Sequence, residues 1–266
     1  MPLPMLNVVN PPHQASSLPP DLRCLLKIPV MLLAFLLSLL LHPLPQTPSP
    51  PSRPSHQAWN ALLQRFVSPA GVVDYPGFRS ELTTLDAYLQ HLRQSPPADN
   101  WPRNDRMAYW INLYNAATVR LIASNYPLKS IMDLDGGKTW DVPRVAVGPR
   151  TYSLNQIEND ILRKQFEDPR IHFALNCAAK SCPPLLNQAF LPDTLDAQLD
   201  ARTRLFVNNP SANRIEPRSA SISRIFDWYA ADFGNLPAFL NRYAKAKLPG
   251  NARITFLDYD WSLNDR

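Results

Sequence analysis

The stretch MAYWINLYNAATVRLI, Met107 to Ile122, decides the fold class, because its apolar residues recur at helical and not at strand spacing. Met107, Trp110, Ile111, Tyr114, Thr118, Leu121 and Ile122 follow one another at intervals of three and four, so they share one face of a helix over 104–125 that must be buried. Helical periodicity also runs through 57–67, 78–94, 153–165, 193–208, 223–232 and 235–246. Short strands are expected at 72–75, at 144–147 turning at Gly148-Pro149 into Tyr152, at 170–176 and at 254–261. The expected fold is α+β, a predominantly helical single domain with a small mixed or antiparallel sheet packed by helices on one side.

N-terminal to this domain the composition changes. Ile28 to Leu41, IPVMLLAFLLSLLL, is uncharged and apolar, with Arg23 and Lys27 before it and His42-Pro43 after it. It is shorter than the roughly 20 residues of a spanning helix, so it reads as the core of a signal peptide or as a short signal anchor. No A-x-A cleavage pattern follows, which leaves both readings open. Cys24 lies on the wrong side of the run for a lipid-modified cysteine, and the polar stretch before it fits a cytoplasmic tail or an internal start such as Met31. The expected organisation is therefore a tail and signal segment over 1–41, a proline-rich extended linker over 42–56 and a globular domain over 57–266. The chain is expected to be exported, or membrane-anchored by residues 28–41.

The 27 Lys and Arg against 22 Asp and Glu are dispersed along the chain, which argues against nucleic acid as a partner. There is no glycine-rich phosphate loop, no zinc-type cysteine ladder and no internal repeat, so no cofactor or metal is expected. Beyond the membrane, reached through an uncleaved N-terminal segment, no partner can be named.

The reactive side chains gather in RIHFALNCAAKSCPPL, Arg170 to Leu185, read as a strand entering a loop with two cysteines. His172 is the one credible base for a thiol in this part of the chain. On a regular strand His172 and Cys177, five residues apart, would point to opposite faces, so pairing them needs a bulge or an early strand end. Cys182 could fold back toward either. In an exported domain Cys177 and Cys182 are also a natural disulfide, and a reactive thiol or two reduced structural cysteines are the other readings. Ser153 and Gln156 form a capping box, and the helix they open carries Glu158 beside Leu154, Ile161 and Leu162. Burial there would favour its protonated form, whereas a boundary position would let it reach water or Arg163. Asn115 lies at the edge of the buried helical stripe and must bond a neighbouring loop, orient a catalytic group or bind ligand.

Late in the chain, Ile225, Trp228, Tyr229 and Phe233 read as core, and Leu257, Tyr259 and Trp261 as the buried face of a terminal strand. Asp258 and Asp260 lack the glycine-turn loop of a calcium site.

Taken together, GVVDY (71–75), YWINLYNAATV (109–119), SLNQIENDILR (153–163), HFALNCAAKSCPPL (172–185), SRIFDWYAADF (223–233) and LDYDWSLN (257–264) resemble the family catalogued as domain of unknown function 547. The resemblance implies Cys177, Glu158, Asn115 and His172 as residues to test, but no substrate. Asn159 stands where family members often carry histidine, which removes a second base or ligand. Two functions follow as expectations: a non-catalytic envelope or interaction module and, as the alternative, a thiol-dependent enzyme. The latter would be a cysteine hydrolase, an acyl transferase or a thiol redox protein using Cys177 with His172, and Cys182 nearby.

Overall fold

The computed structural model describes residues 53–265, so the tail, the apolar run and most of the linker lie outside the described residues. Chain order is α1 (Gln57–Phe66), α2 (Tyr75–Ser80), α3 (Leu82–Gln94), α4 (Arg103–Asn125), the hairpin β1 (Val145–Val147) and β2 (Arg150–Tyr152), and a π-helix (Gln156–Arg163). Then come α5 (Leu195–Val207), β3 (Arg214–Ile215), β4 (Ser219–Ile222), the short turns Ile225–Trp228 and Ala230–Phe233, α6 (Leu236–Tyr243) and β5 (Arg253–Phe256). The α+β class is as expected, with two small sheets among the described residues. β1 pairs antiparallel with β2 through Ala146 and Thr151. In the mixed sheet β3-β4-β5, β4 runs antiparallel to β3 and parallel to β5.

α4 is the centre of the molecule. The sequence pattern predicts one buried face, but Met107 through Ala116 are buried on every side, because α2, α3 and the π-helix all pack on it. Its two buried asparagines, Asn112 and Asn115, meet the cost of burial by clamping passing chain. Asn112 exchanges hydrogen bonds with the backbone of Phe190, donating to its carbonyl at 2.7 Å and accepting from its amide at 3.0 Å.

Two apolar clusters flank the site. One gathers Trp59, Tyr75, Phe78, Tyr109, Ile111 and Ile157 around α4, and the other gathers Phe173, Phe206, Ile222, Phe226, Phe239 and Leu240. Ile171, Ala174 and Leu175 belong to the first and Phe173 to the second, so the segment that carries His172 runs along the seam.

That segment is not the expected strand. Asp168 accepts from the amide of Arg170 at 3.0 Å, Pro169 fits the first helical position, and Pro169–Phe173 form a 3-10 turn. Arg170 is held by Asp168, Asp196 and Asp200 at 2.7, 2.8 and 2.9 Å, which fixes the turn against α5. The strand expected at 254–261 ends at Phe256, and the one at 72–75 is reduced to bridges of Val73 with Val67 and Asp265. Among the described residues no helix is long and apolar enough to cross a membrane.

Candidate functional site

Cys177 lies on a loop whose shape is set from four directions. Asn115, on α4, donates to the Ala174 carbonyl and accepts from the Asn176 amide, both at 2.9 Å. Asn176 in turn accepts from the Ala178 amide at 3.0 Å and donates to the Pro183 carbonyl at 2.9 Å. The chain end closes the far side, with the Lys180 amide donating to Ser262 at 2.8 Å and the Asn264 amide to Ala178 at 3.0 Å. Finally the buried Arg202, its pKa lowered by burial to about 10, donates to the Pro184 carbonyl. Within this frame Ala178 is forced to φ +65°, a left-handed conformation that costs a β-carbon-bearing residue of order 1–3 kcal/mol and is concentrated at functional sites.

Both cysteines are free thiols, so the expected disulfide is not formed in the structure. The Cys177 amide donates to Cys182 Sγ at 2.8 Å, and Cys177 Sγ lies 3.3 Å from the Tyr259 hydroxyl. Burial pushes the Cys177 thiol up, but hydrogen bonds from Cys182, Tyr259 and the Ala179 amide outweigh it, so its pKa is lowered; the nearby Glu158 carboxylate works against them. Cys182 goes the other way, held up by burial and by its neighbour. Burial and Cys177 also push the Tyr259 hydroxyl well up, so it stays protonated and donates to sulfur.

Half-buried Cys177 opens on a cavity of about 380 Å³, whose walls also include Glu158, His172, Tyr229, Tyr259, Trp228 and Trp261. The π-helix explains Glu158. Its capping box is present, with Ser153 and Gln156 exchanging hydrogen bonds at 2.9 and 3.1 Å, but the turns that follow adopt an i to i+5 register. Residues five apart then stack on one face. Glu158 and Arg163 consequently meet the same ring, Glu158 accepting from the Tyr229 hydroxyl at 2.6 Å while Arg163 lies 4.9 Å over its face. Arg163 pairs with Asp232 at 2.6 Å and with Asn159, not with Glu158.

His172 stacks on Tyr229 with ring centroids 4.0 Å apart, and its Nε2 lies 2.7 Å from Asp232. Hydrogen bonds from His172 and then Arg163 hold the Asp232 carboxyl well below the usual range, so it accepts and His172 Nε2–H donates. Nδ1 is the ring nitrogen that Asp232 does not engage. His172 therefore shares the cavity with Cys177 without a hydrogen bond to it.

A family model described as a protein of unknown function, DUF547, matches residues 98–207. The match is to this stretch, less than half of the chain. No curated protein and no solved structure matches the chain. The DUF547 segment contains Asn115, Glu158, His172, Cys177 and Cys182. Tyr229, Tyr259 and Trp261, which complete the cavity, and Asp232, which holds His172, lie C-terminal to it, and the sequence reading took the aromatic ones for core and did not single out Asp232. Asp260 has its carboxylate occupied by the Ser262 amide and hydroxyl at 2.9 and 2.6 Å.

Proposed function

We propose that the cavity is the active site of a thiol-dependent acyl-transfer enzyme, hydrolase or transferase, with Cys177 as nucleophile. The observation that carries this reading is a partly exposed thiol at the cavity wall whose sulfur is bonded by the Tyr259 hydroxyl and the Ala179 amide, beside a strained Ala178. Such an environment favours thiolate, the nucleophilic form. The thiolate attacks a carbonyl carbon, the carbon–leaving-group bond breaks, and the resulting thioester is released by water or by a second nucleophile. His172, its Nε2–H committed to Asp232, has Nδ1 to accept a proton, and Glu158 is a second carboxylate on the wall. Asn115 is a positioning residue for the loop.

The test is alkylation of the full-length chain with iodoacetamide across pH 5–9, resolved by peptide mass spectrometry. Cys177 is expected to react with a midpoint below that of a free cysteine, while Cys182 stays protected in the native protein. Equal, slow labelling of both would overturn the reading.

The non-catalytic envelope or interaction module is favoured by a different observation, that no base among the described residues is hydrogen-bonded to Cys177. It predicts the same labelling outcome that overturns the enzyme. Export or anchoring rests on residues 28–41 alone, and N-terminal sequencing of protein from membrane and soluble fractions tests it.

A further inference from the structure

The wall of the cavity next to Cys177 is aromatic to a degree that acyl transfer does not require. Tyr259, whose hydroxyl meets the sulfur, packs on Trp261 and Trp228 with ring centroids at 4.6 and 4.8 Å, and Trp261 meets Trp140 at 5.7 Å. These four rings, tilted 50–66° to one another in these contacts, form one contiguous but uneven shelf that begins at the reacting atom. Trp228 is 47% exposed, unusual for a tryptophan with so many aromatic neighbours available to cover it.

Of the Lys, Asp and Glu side chains that line the cavity, the buried one is a carboxylate. Glu158 is buried, and the Tyr229 hydroxyl is the one hydrogen-bond partner its carboxylate has among the described residues. Lys138 and Asp141, the other two charged lining residues of Lys, Arg, Asp or Glu type, are both exposed, of opposite sign and solvated. A buried carboxylate acts over a longer effective range than exposed charges, which salt and water screen.

We infer that the Cys177 cavity accepts an acyl compound carrying an organic cation, a quaternary or primary ammonium, seated on the Tyr259-Trp261-Trp228 shelf and facing the Glu158 carboxylate. Electron-rich ring faces attract such a group, more strongly when it is desolvated, and the carboxylate adds in the same direction. An anionic substrate finds neither. This deepens the thiol reading and rests on it for the reaction, although binding of the cation does not require the thiol.

Two measurements on the full-length chain test it. In the first, Cys177 is labelled by methanethiosulfonates bearing a trimethylammonium-ethyl or a sulfonato-ethyl group. The thiolate attacks the sulfenyl sulfur, the mixed disulfide forms, and methanesulfinate leaves with the electron pair. The cation-to-anion rate ratio at Cys177, divided by the same ratio for 2-mercaptoethanol, is expected to exceed about tenfold, the factor that 1.4 kcal/mol supplies. Trp228→Ala and Glu158→Gln are each expected to bring it down severalfold. A ratio near one, or one that Trp228→Ala leaves unchanged, overturns the inference. In the second, choline chloride is titrated into the Cys177→Ser protein with sodium chloride as control. Saturable quenching of tryptophan fluorescence that Trp228→Ala abolishes supports the cation site even if Cys177 proves inert, whereas identical responses to both salts overturn it. Circular dichroism confirms that the variants fold.

Discussion

At the scale of single residues, the reactivity of Cys177 is set by neighbours that act with opposite signs, and this gives paired predictions. Cys182 lowers the Cys177 pKa and Glu158 raises it. Cys182→Ala is therefore expected to raise the pKa of Cys177 and Glu158→Gln to lower it, each read from the pH dependence of iodoacetamide labelling; shifts of the same sign in the two variants would refute this electrostatic account. Asn115 contributes through the backbone. Asn115→Ala leaves the Ala174 carbonyl and the Asn176 amide without their partner in a buried setting, and should cost about 2–4 kcal/mol in urea denaturation. The sequence made Asn115 conspicuous because a polar side chain on a buried stripe needs partners, and bonding a neighbouring loop is what it does. It did not reveal Asp232 or Tyr259, since an aspartate in YAADF and a tyrosine in an alternating run carry no local sign of the distant groups they meet.

Among the elements, the helices were legible wherever apolar spacing and caps agreed, as at Gln57–Phe66, Leu82–Gln94 and Leu195–Val207. The failures have local causes. IHFALN reads as a strand by composition, yet Asp168, Pro169 and the three carboxylates on Arg170 impose a tight turn, so the argument that alternation separates His172 from Cys177 loses its premise. Likewise the capping box announced a helix, but nothing in a 3.6-residue period signals the π register that turns Glu158 and Arg163 toward one tyrosine. The motif GVVDY acquires a role only in three dimensions. Gly71 has φ +83°, and a β-carbon there would lie 2.3 Å from Pro184 Cβ, so the glycine lets the Cys-Pro-Pro end of the thiol loop dock. Gly71→Ala is expected to destabilise the protein by at least about 2 kcal/mol, from left-handed strain plus overpacking. It should also loosen the loop enough to expose Cys182 to alkylation, and a stable variant with Cys182 still protected would show that the contact does not matter.

For the whole molecule, acid should loosen the fold in two steps that arise at different places. His56, at the entry to α1, is buried and bonded to the Tyr88 hydroxyl at 2.7 Å, and burial, with a smaller contribution from His91, lowers its pKa from 6.5 to about 4. Its folded pKa is below its unfolded one, so the unfolded chain takes up the proton first as pH falls. Stability is therefore lost progressively between pH 6.5 and 4, by up to about 3 kcal/mol at 1.36 kcal/mol per unit. Asp232 is depressed in the folded state by His172 and Arg163, so its contribution is present above the ordinary aspartate pKa and is lost as pH falls below it toward the native value. The first step belongs to the α1 end of the fold and the second to the cavity, which makes them separable by mutation. Urea midpoints measured from pH 7.5 to 3 should show the upper step flattened in His56→Gln and the lower step flattened in Asp232→Asn. Each variant should keep the step it does not carry, and if both lose the same step the acid response belongs to the molecule's overall charge and not to these two partnerships.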